Sequence, residues 1–217
     1  MDLLDRVRPA AEDLLGRVDT TLRTRGAPGG HPVWTLVRQV GATPADAFAH
    51  LASLDAAPLR ETAAALRAAA GEWPGIVASL PAAVGSEGVA AQAYASSWPA
   101  VAGDLDGLAD GLASTGRYAA EVGDWIDASR AALAREVATC LGSREALVLR
   151  GAAPDGVDGS AILAAAEIGA RVLGAVAGAL DDGWQVRDRW SAALAERTPS
   201  DTRPDVRIHA THRIDVR

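Results

Sequence analysis

Apolar positions near the start of the chain recur at intervals of three and four. Leu4, Val7, Ala11, Leu14, Val18 and Leu22 form one such row, which predicts an amphipathic helix over 2–24. The stretch "RGAPGGHP" breaks it, since glycine and proline punctuate helices. A short helix is predicted over 33–40. Thr43 then offers a cap, Pro44 suits a first helical position and Asp46 falls in the first turn, so a third helix runs to about Leu54. Asp55 is the next cap. Leu59, Thr62, Leu66, Ala70, Trp73, Val77 and Leu80 make the row behind it, with Pro74 a point for a kink and Pro81 a stop.

The longest row starts at Val89. Tyr94, Trp98, Val101, Leu105, Leu108, Leu112, Thr115, Val122, Ile126, Ser129, Leu133, Val137 and Cys140 keep the helical interval with one skipped turn. The row predicts an uninterrupted helix to Arg150, roughly 90 Å long at the α-helical rise. Pro99 marks a place for a bend. A rod of that length must lie against partners, because propensity alone does not hold it. Gly103, Gly107 and Gly111 fall four apart on one face and predict a close helix contact there. "GAAPDGVDGS" reads as a turn, with Asp158 or Ser160 capping the next helix. Asp155 and Asp158 lack the further ligands of a calcium loop. A last long helix covers 160–197 with Ile162, Leu173, Val176, Leu180, Trp184 and Leu194 among its apolar positions, and Pro199 ends it.

The expected fold is therefore all-α: a long antiparallel helical hairpin or bundle with extra N- and C-terminal helices. The expected divisions are an N-terminal helical segment (1–54), the hairpin (55–150), a C-terminal helix packing on the bundle (151–197) and an extended or flexible tail (198–217).

Composition sharpens this. Half of the chain is hydrophobic (49%) but only 4% is aromatic, so alanine carries much of the apolar content and favours helix. Lysine and asparagine are absent, which reads as a coding bias. The net charge of −7 argues against a nucleic-acid surface. The tail "RPDVRIHATHRIDVR" differs: it carries Arg203, Arg207, Arg213 and Arg217 beside two aspartates and two histidines, and its apolar residues alternate weakly. It reads as a solvated or strand-like tail.

Cys140 is the only cysteine, so no internal disulfide forms, and its helical position suits a small buried hydrophobe. The opening residues carry Asp2 and Asp5 and no continuous apolar run, unlike a secretory leader. Residues 160–180 are apolar enough to suggest a membrane span. Glu167 and Arg171 interrupt them four residues apart, where they can pair on one face, and a mid-span charge pair is costly in lipid. A buried helix of a water-soluble fold is the expectation.

Catalysis needs converging polar groups. His31, His50, His209 and His212 are scattered, and no nucleophile elbow, phosphate loop or zinc-protease pattern occurs. No catalytic, cofactor-binding or metal-binding residue is expected.

One stretch does carry a pattern. In "SEGVAAQAYASSW", Gly88 is followed by Ala90, Ala91 and Ala93, then Tyr94 six positions on, then Trp98 four further. This resembles the WXG100 superfamily of type VII secretion proteins, whose usual form is Trp-x-Gly, small residues, an aromatic and often a tryptophan. The resemblance covers about 55–150. Ser86 stands where the family has tryptophan; Trp73-Pro74-Gly75 lies earlier but lacks the small run and aromatic behind it. The family's export signal, Tyr-x-x-x-Asp/Glu, is also missing: Tyr118 meets Val122 at that spacing.

The resemblance implies a tight turn at Gly88, close packing of two arms through the alanines, and Tyr94 and Trp98 inside the seam. It implies a non-enzymatic protein that pairs with another WXG100-like hairpin, or with itself, to form a four-helix bundle. Such a protein is cytoplasmic before export, then secreted or held at the cell envelope by a route without a signal peptide. No nucleic acid, stable membrane insertion or cofactor is expected. The alternatives are a self-assembling structural protein of the envelope and a module of a toxin or effector system.

Overall fold

The computed structural model describes residues 2–80, 88–152 and 159–195. Every regular element among them is a helix: α1 (Leu3–Arg25), α2 (Val33–Val40), α3 (Pro44–Ser53), α4 (Ala57–Ser79), α5 (Val89–Leu141), α6 (Arg144–Gly151) and α7 (Gly159–Ala195). The chain is all-α.

Local chemistry sets most boundaries. Asp2 caps α1 by accepting the Asp5 N–H at 2.8 Å, and Asp5 accepts the Asp2 N–H at 3.1 Å, so two free donors of the first turn are satisfied reciprocally. Thr43 caps α3 by accepting the Asp46 N–H, and Pro44 opens that helix. Asp55 accepts the Ala57 N–H at 2.9 Å where α4 begins. Gly41 ends α2 in the left-handed region (φ 73°), a conformation that costs glycine nothing. Helices α4 and α5 continue through Pro74 and Pro99.

The helix expected to run to Arg150 does not. It ends at Leu141, and Gly142 and Ser143 turn the chain into the separate helix α6. Ser143 accepts the Ala146 N–H at 3.2 Å, and a serine bonded this way favours a new helix start over continuation. Even so, α5 spans 53 residues, about 80 Å at the usual rise.

The core lies at one end of this rod. Leu4, Leu14, Leu15 and Val18 of α1, Val33 of α2 and Phe48 of α3 close on Leu133 and Val137 of α5 and on Ile168, Val172 and Leu173 of α7. The expected N-terminal and C-terminal segments thus share one core with the second half of α5. Helix α7 is long and apolar enough to cross a membrane, yet 56% of its most apolar window is buried within the fold. Its expected Glu167–Arg171 pair does not form. Arg171 reaches across to Glu136 of α5 at 2.7 Å, and Glu167 meets Nε2 of His31 at 3.4 Å. Both partners come from other helices or loops, which spacing along α7 could not reveal.

Helix α7 runs antiparallel to α5. Trp125 Nε1 donates to the Ala179 carbonyl at 2.8 Å, Arg189 and Trp190 both donate to Glu121, and the rings of Tyr118 and Trp190 lie 5.8 Å apart. Helix α4 lies on another face of α5, also antiparallel. Arg60 pairs with Asp127, Gly116 lets α5 approach the Ala63 carbonyl and Leu66, and Trp73 Nε1 donates to the Leu105 carbonyl at 2.8 Å.

Candidate interaction surface

Past the core, α4 and the first half of α5 form a two-helix arm. Ala63 is the one fully buried residue of α4, and burial on α5 begins at Ser114. Beyond these, the arm is lined by alanine and glycine, whose small side chains bring two helices together but fill little volume. Several larger apolar side chains face outward. Ile76 is 47% exposed, Val101 43%, Leu108 49% and Val89 84%.

The sequence-predicted motif sits at the tip. Gly88 precedes α5 with φ 130°, backbone that a side chain would strain. Helices α4 and α5 run in opposite directions on either side of residues 81–87, which lie outside the described residues. Ser86 lies outside the described residues. Tyr94 and Trp98 are half-buried, and their rings stack on each other at 5.9 Å. Neither belongs to the buried core. The register bears on this: Trp73 opposite Leu105 brings Leu80, the last described residue before the tip, level with Trp98, so Tyr94 lies past it. Ala90 is exposed and Ala91 half-buried.

The glycine row is open. A Cβ placed on Gly103, Gly107 or Gly111 would meet nothing within 4 Å, so no described helix packs there. The close contacts fall elsewhere: at Gly116, at Gly169 against Pro44, Leu22 and Val33, and at Gly183 against the Trp125 ring. The rows 103–107–111 and 174–178 gave no sign of this, since spacing along one helix does not say which face another helix covers.

Charge on the arm is one-sided. From 68 to 113 the described residues carry Glu72, Asp104, Asp106 and Asp110 and no basic side chain.

Clefts also open elsewhere on the described surface. One of about 400 Å³ between α6 and α7 is lined by Arg144, Glu145, Leu163, Glu167 and Arg171. Arg171 there pairs with Glu136 and Glu167 with His31, and Glu145 is held below its ordinary range by its own backbone N–H and by Ser143. A shallower apolar cleft of about 280 Å³ lies between α5 and α7, lined by Trp125 and Trp184, and Arg187 stacks 4.1 Å over the Trp184 ring. Trp184 and Leu180, expected on the buried row of α7, are exposed there.

Among the described residues, no three His, Cys, Asp or Glu side chains come together as a metal site. Cys140 is buried, and burial pushes its thiol up to about 11, so it stays protonated and unreactive at neutral pH. His209 and His212 lie outside the described residues. Sequence patterning missed Arg130, a polar group buried inside the helical stack; its position within a helical apolar row, between Ser129 and Leu133, was the available signal.

No family model matches the chain, and no curated protein or solved structure matches it either.

Proposed function

We propose that this chain is a non-enzymatic interaction module that binds a protein partner through the α4–α5 arm. One observation carries the reading: an arm extending from a well-packed core leaves Ile76, Val101 and Leu108 exposed on two long helices. Exposed apolar side chains in register on an α-helix suit a second helix or helix pair laid alongside.

The partner proposed is another WXG100-like helical hairpin, completing a four-helix bundle, and the setting is type VII secretion. The Gly88–Tyr94–Trp98 spacing supports this, together with the antiparallel arms on either side of it. The export route is the signal-peptide-independent one that the resemblance implies. The arm's acidic character favours a partner whose apolar stripe is flanked by basic residues, because like charges facing each other across helices destabilise pairing.

The test is co-expression with a small helical protein encoded beside this gene, followed by mass measurement in solution. A stoichiometric complex that is lost in Val101→Asp/Leu108→Asp supports the reading. A monomer whose behaviour those substitutions leave unchanged overturns it. A second reading, self-assembly into an envelope structure, draws on the open Gly103–Gly107–Gly111 row, which would admit a close copy. It predicts a defined oligomer of the chain alone.

A further inference from the structure

The face of α5 that α7 covers does not end where α7 ends. Trp125, Glu121 and Tyr118 contact α7. Ser114, Gly111, Gly107 and Gly103 continue the same row at steps of three and four, which keeps them on one side of the helix. The contacts that pair Glu121 and Tyr118 with Trp190 bring Ala195, the last residue described, level with the turn around Ser114. No described residue covers the row beyond, and Val101 and Leu108 border it with 43% and 49% of their surface exposed.

The segment C-terminal to Ala195 fits that face. Residues 196–217 reach about 70 Å when extended, whereas the arm from Ser114 to Val89 is about 37 Å long. Val206, Ile208, Ala210, Ile214 and Val216 occupy alternate positions, and Arg207, Arg213 and Arg217 fall between them. An extended segment of this pattern presents one apolar edge and one polar edge, on which Arg203, Arg207, Arg213 and Arg217 outnumber Asp205 and Asp215. The arm presents apolar Val101 and Leu108 beside Asp104, Asp106 and Asp110, with no basic group. A second copy of the arm would bring like charges together, while the tail brings opposite ones.

We infer that the chain's own C-terminal segment, residues 203–217, docks along this face of α5 and continues the seam that α7 begins. The tail is then the arm's intrachain ligand, and a partner helix approaching that face must displace it. This goes beyond the partner reading and holds whether or not the arm serves secretion.

A nitroxide at Thr211→Cys in the full chain tests it, since buried Cys140 does not compete for the label. Backbone amides of residues 100–113 should lose more than half of their peak height, and those of α2 should keep theirs. Replacing the exposed Asp104 and Asp106 together by Asn should restore the lost intensity. So should salt at about 1 M, where charges are screened within about 3 Å. Full intensity across 100–113 overturns the inference. So does broadening that the Asn variant leaves intact, or broadening seen only between separate labelled and isotope-enriched molecules. None of these outcomes depends on a partner, so they leave the proposed function to its own test.

Discussion

Arg130 on α5 donates through Nε to the Asp2 carboxylate ahead of α1, at 2.9 Å. The same guanidinium reaches Asp5 at 3.0 Å, the Leu54 carbonyl at 3.0 Å and the Ala52 carbonyl. One side chain therefore ties the N-terminus of α1 and the C-terminal end of α3 to the long rod. Both ends gain electrostatically, because carboxylates cap a helix N-terminus and a cation faces free carbonyls at a C-terminus. Arg130→Met should destabilise the fold by on the order of 2–4 kcal/mol. That is less than a fully buried pair would lose, since Asp2 and Asp5 keep contact with water. Urea melts of the two proteins measure it; a change under about 0.5 kcal/mol, the usual surface effect, would show that the clamp is incidental.

Acid should loosen the same junction. Burial pushes the Asp2 carboxyl up, but the Asp5 N–H and the Arg130 guanidinium outweigh it and hold it below its ordinary 3.8. The Trp190 indole and Arg189 hold Glu121 below its ordinary 4.5. A depressed carboxylate contributes stability above its unfolded value and loses it as pH falls through the folded value. Asp19 has the opposite sign. Burial raises it above 3.8 despite hydrogen bonds from Thr43 and Ala45, so its charge costs stability at neutral pH, and that cost is relieved on acidification. Melting temperature should hold nearly level on the way down to about pH 4 and then fall. Asp2→Asn should start lower and fall less steeply below that point. Parallel curves for the two proteins would show that Asp2 does not carry the effect.

The helices other than α6 were readable in the sequence from their periodicity and from the glycine and proline breaks between them. Thr43-Pro44-x-Asp46 placed the start of α3, and the row from Leu4 to Leu22 placed the buried face of α1. Gly142-Ser143 was missed because the apolar row runs up to it at Cys140 and spacing alone does not register a serine cap. Contacts between helices were less legible. Glu167 and Arg171 have ideal spacing for each other, yet His31 and Glu136 are nearer in the folded chain. At the tip, the Gly88–Tyr94–Trp98 spacing could not show how far α4 extends opposite the aromatics.

Two glycines should respond oppositely to alanine. A Cβ on Gly183 would stand 2.9 Å from Cε2 and Cζ2 of Trp125. That ring cannot swing aside without giving up its hydrogen bond to the Ala179 carbonyl. Gly183→Ala should cost about 1–3 kcal/mol through overpacking. Gly16, in the middle of α1, has nothing within 4 Å of the same position, so Gly16→Ala should stabilise by up to about 1 kcal/mol through helix propensity. Thermal melts of both variants decide it, and equal shifts would mean that the α5–α7 seam yields at no cost.

The arm should open without the core. Its buried contacts reduce to Ala63 and the small residues around Gly116, and its main polar tie is the Trp73 indole on the Leu105 carbonyl. A segment with few buried apolar contacts opens locally at a fraction of the global free energy. Amides of 68–80 and 89–113 should therefore exchange faster than those of 126–140, where Ile126, Leu133 and Val137 are buried. Trp73→Phe keeps most of the ring's apolar surface and removes the indole donor. Losing that one bond costs about 1 kcal/mol, which should speed exchange along the arm roughly fivefold and leave 126–140 unchanged. If both regions speed up together, the arm and core unfold as one unit, and the arm is not an independently yielding surface on which a partner could act.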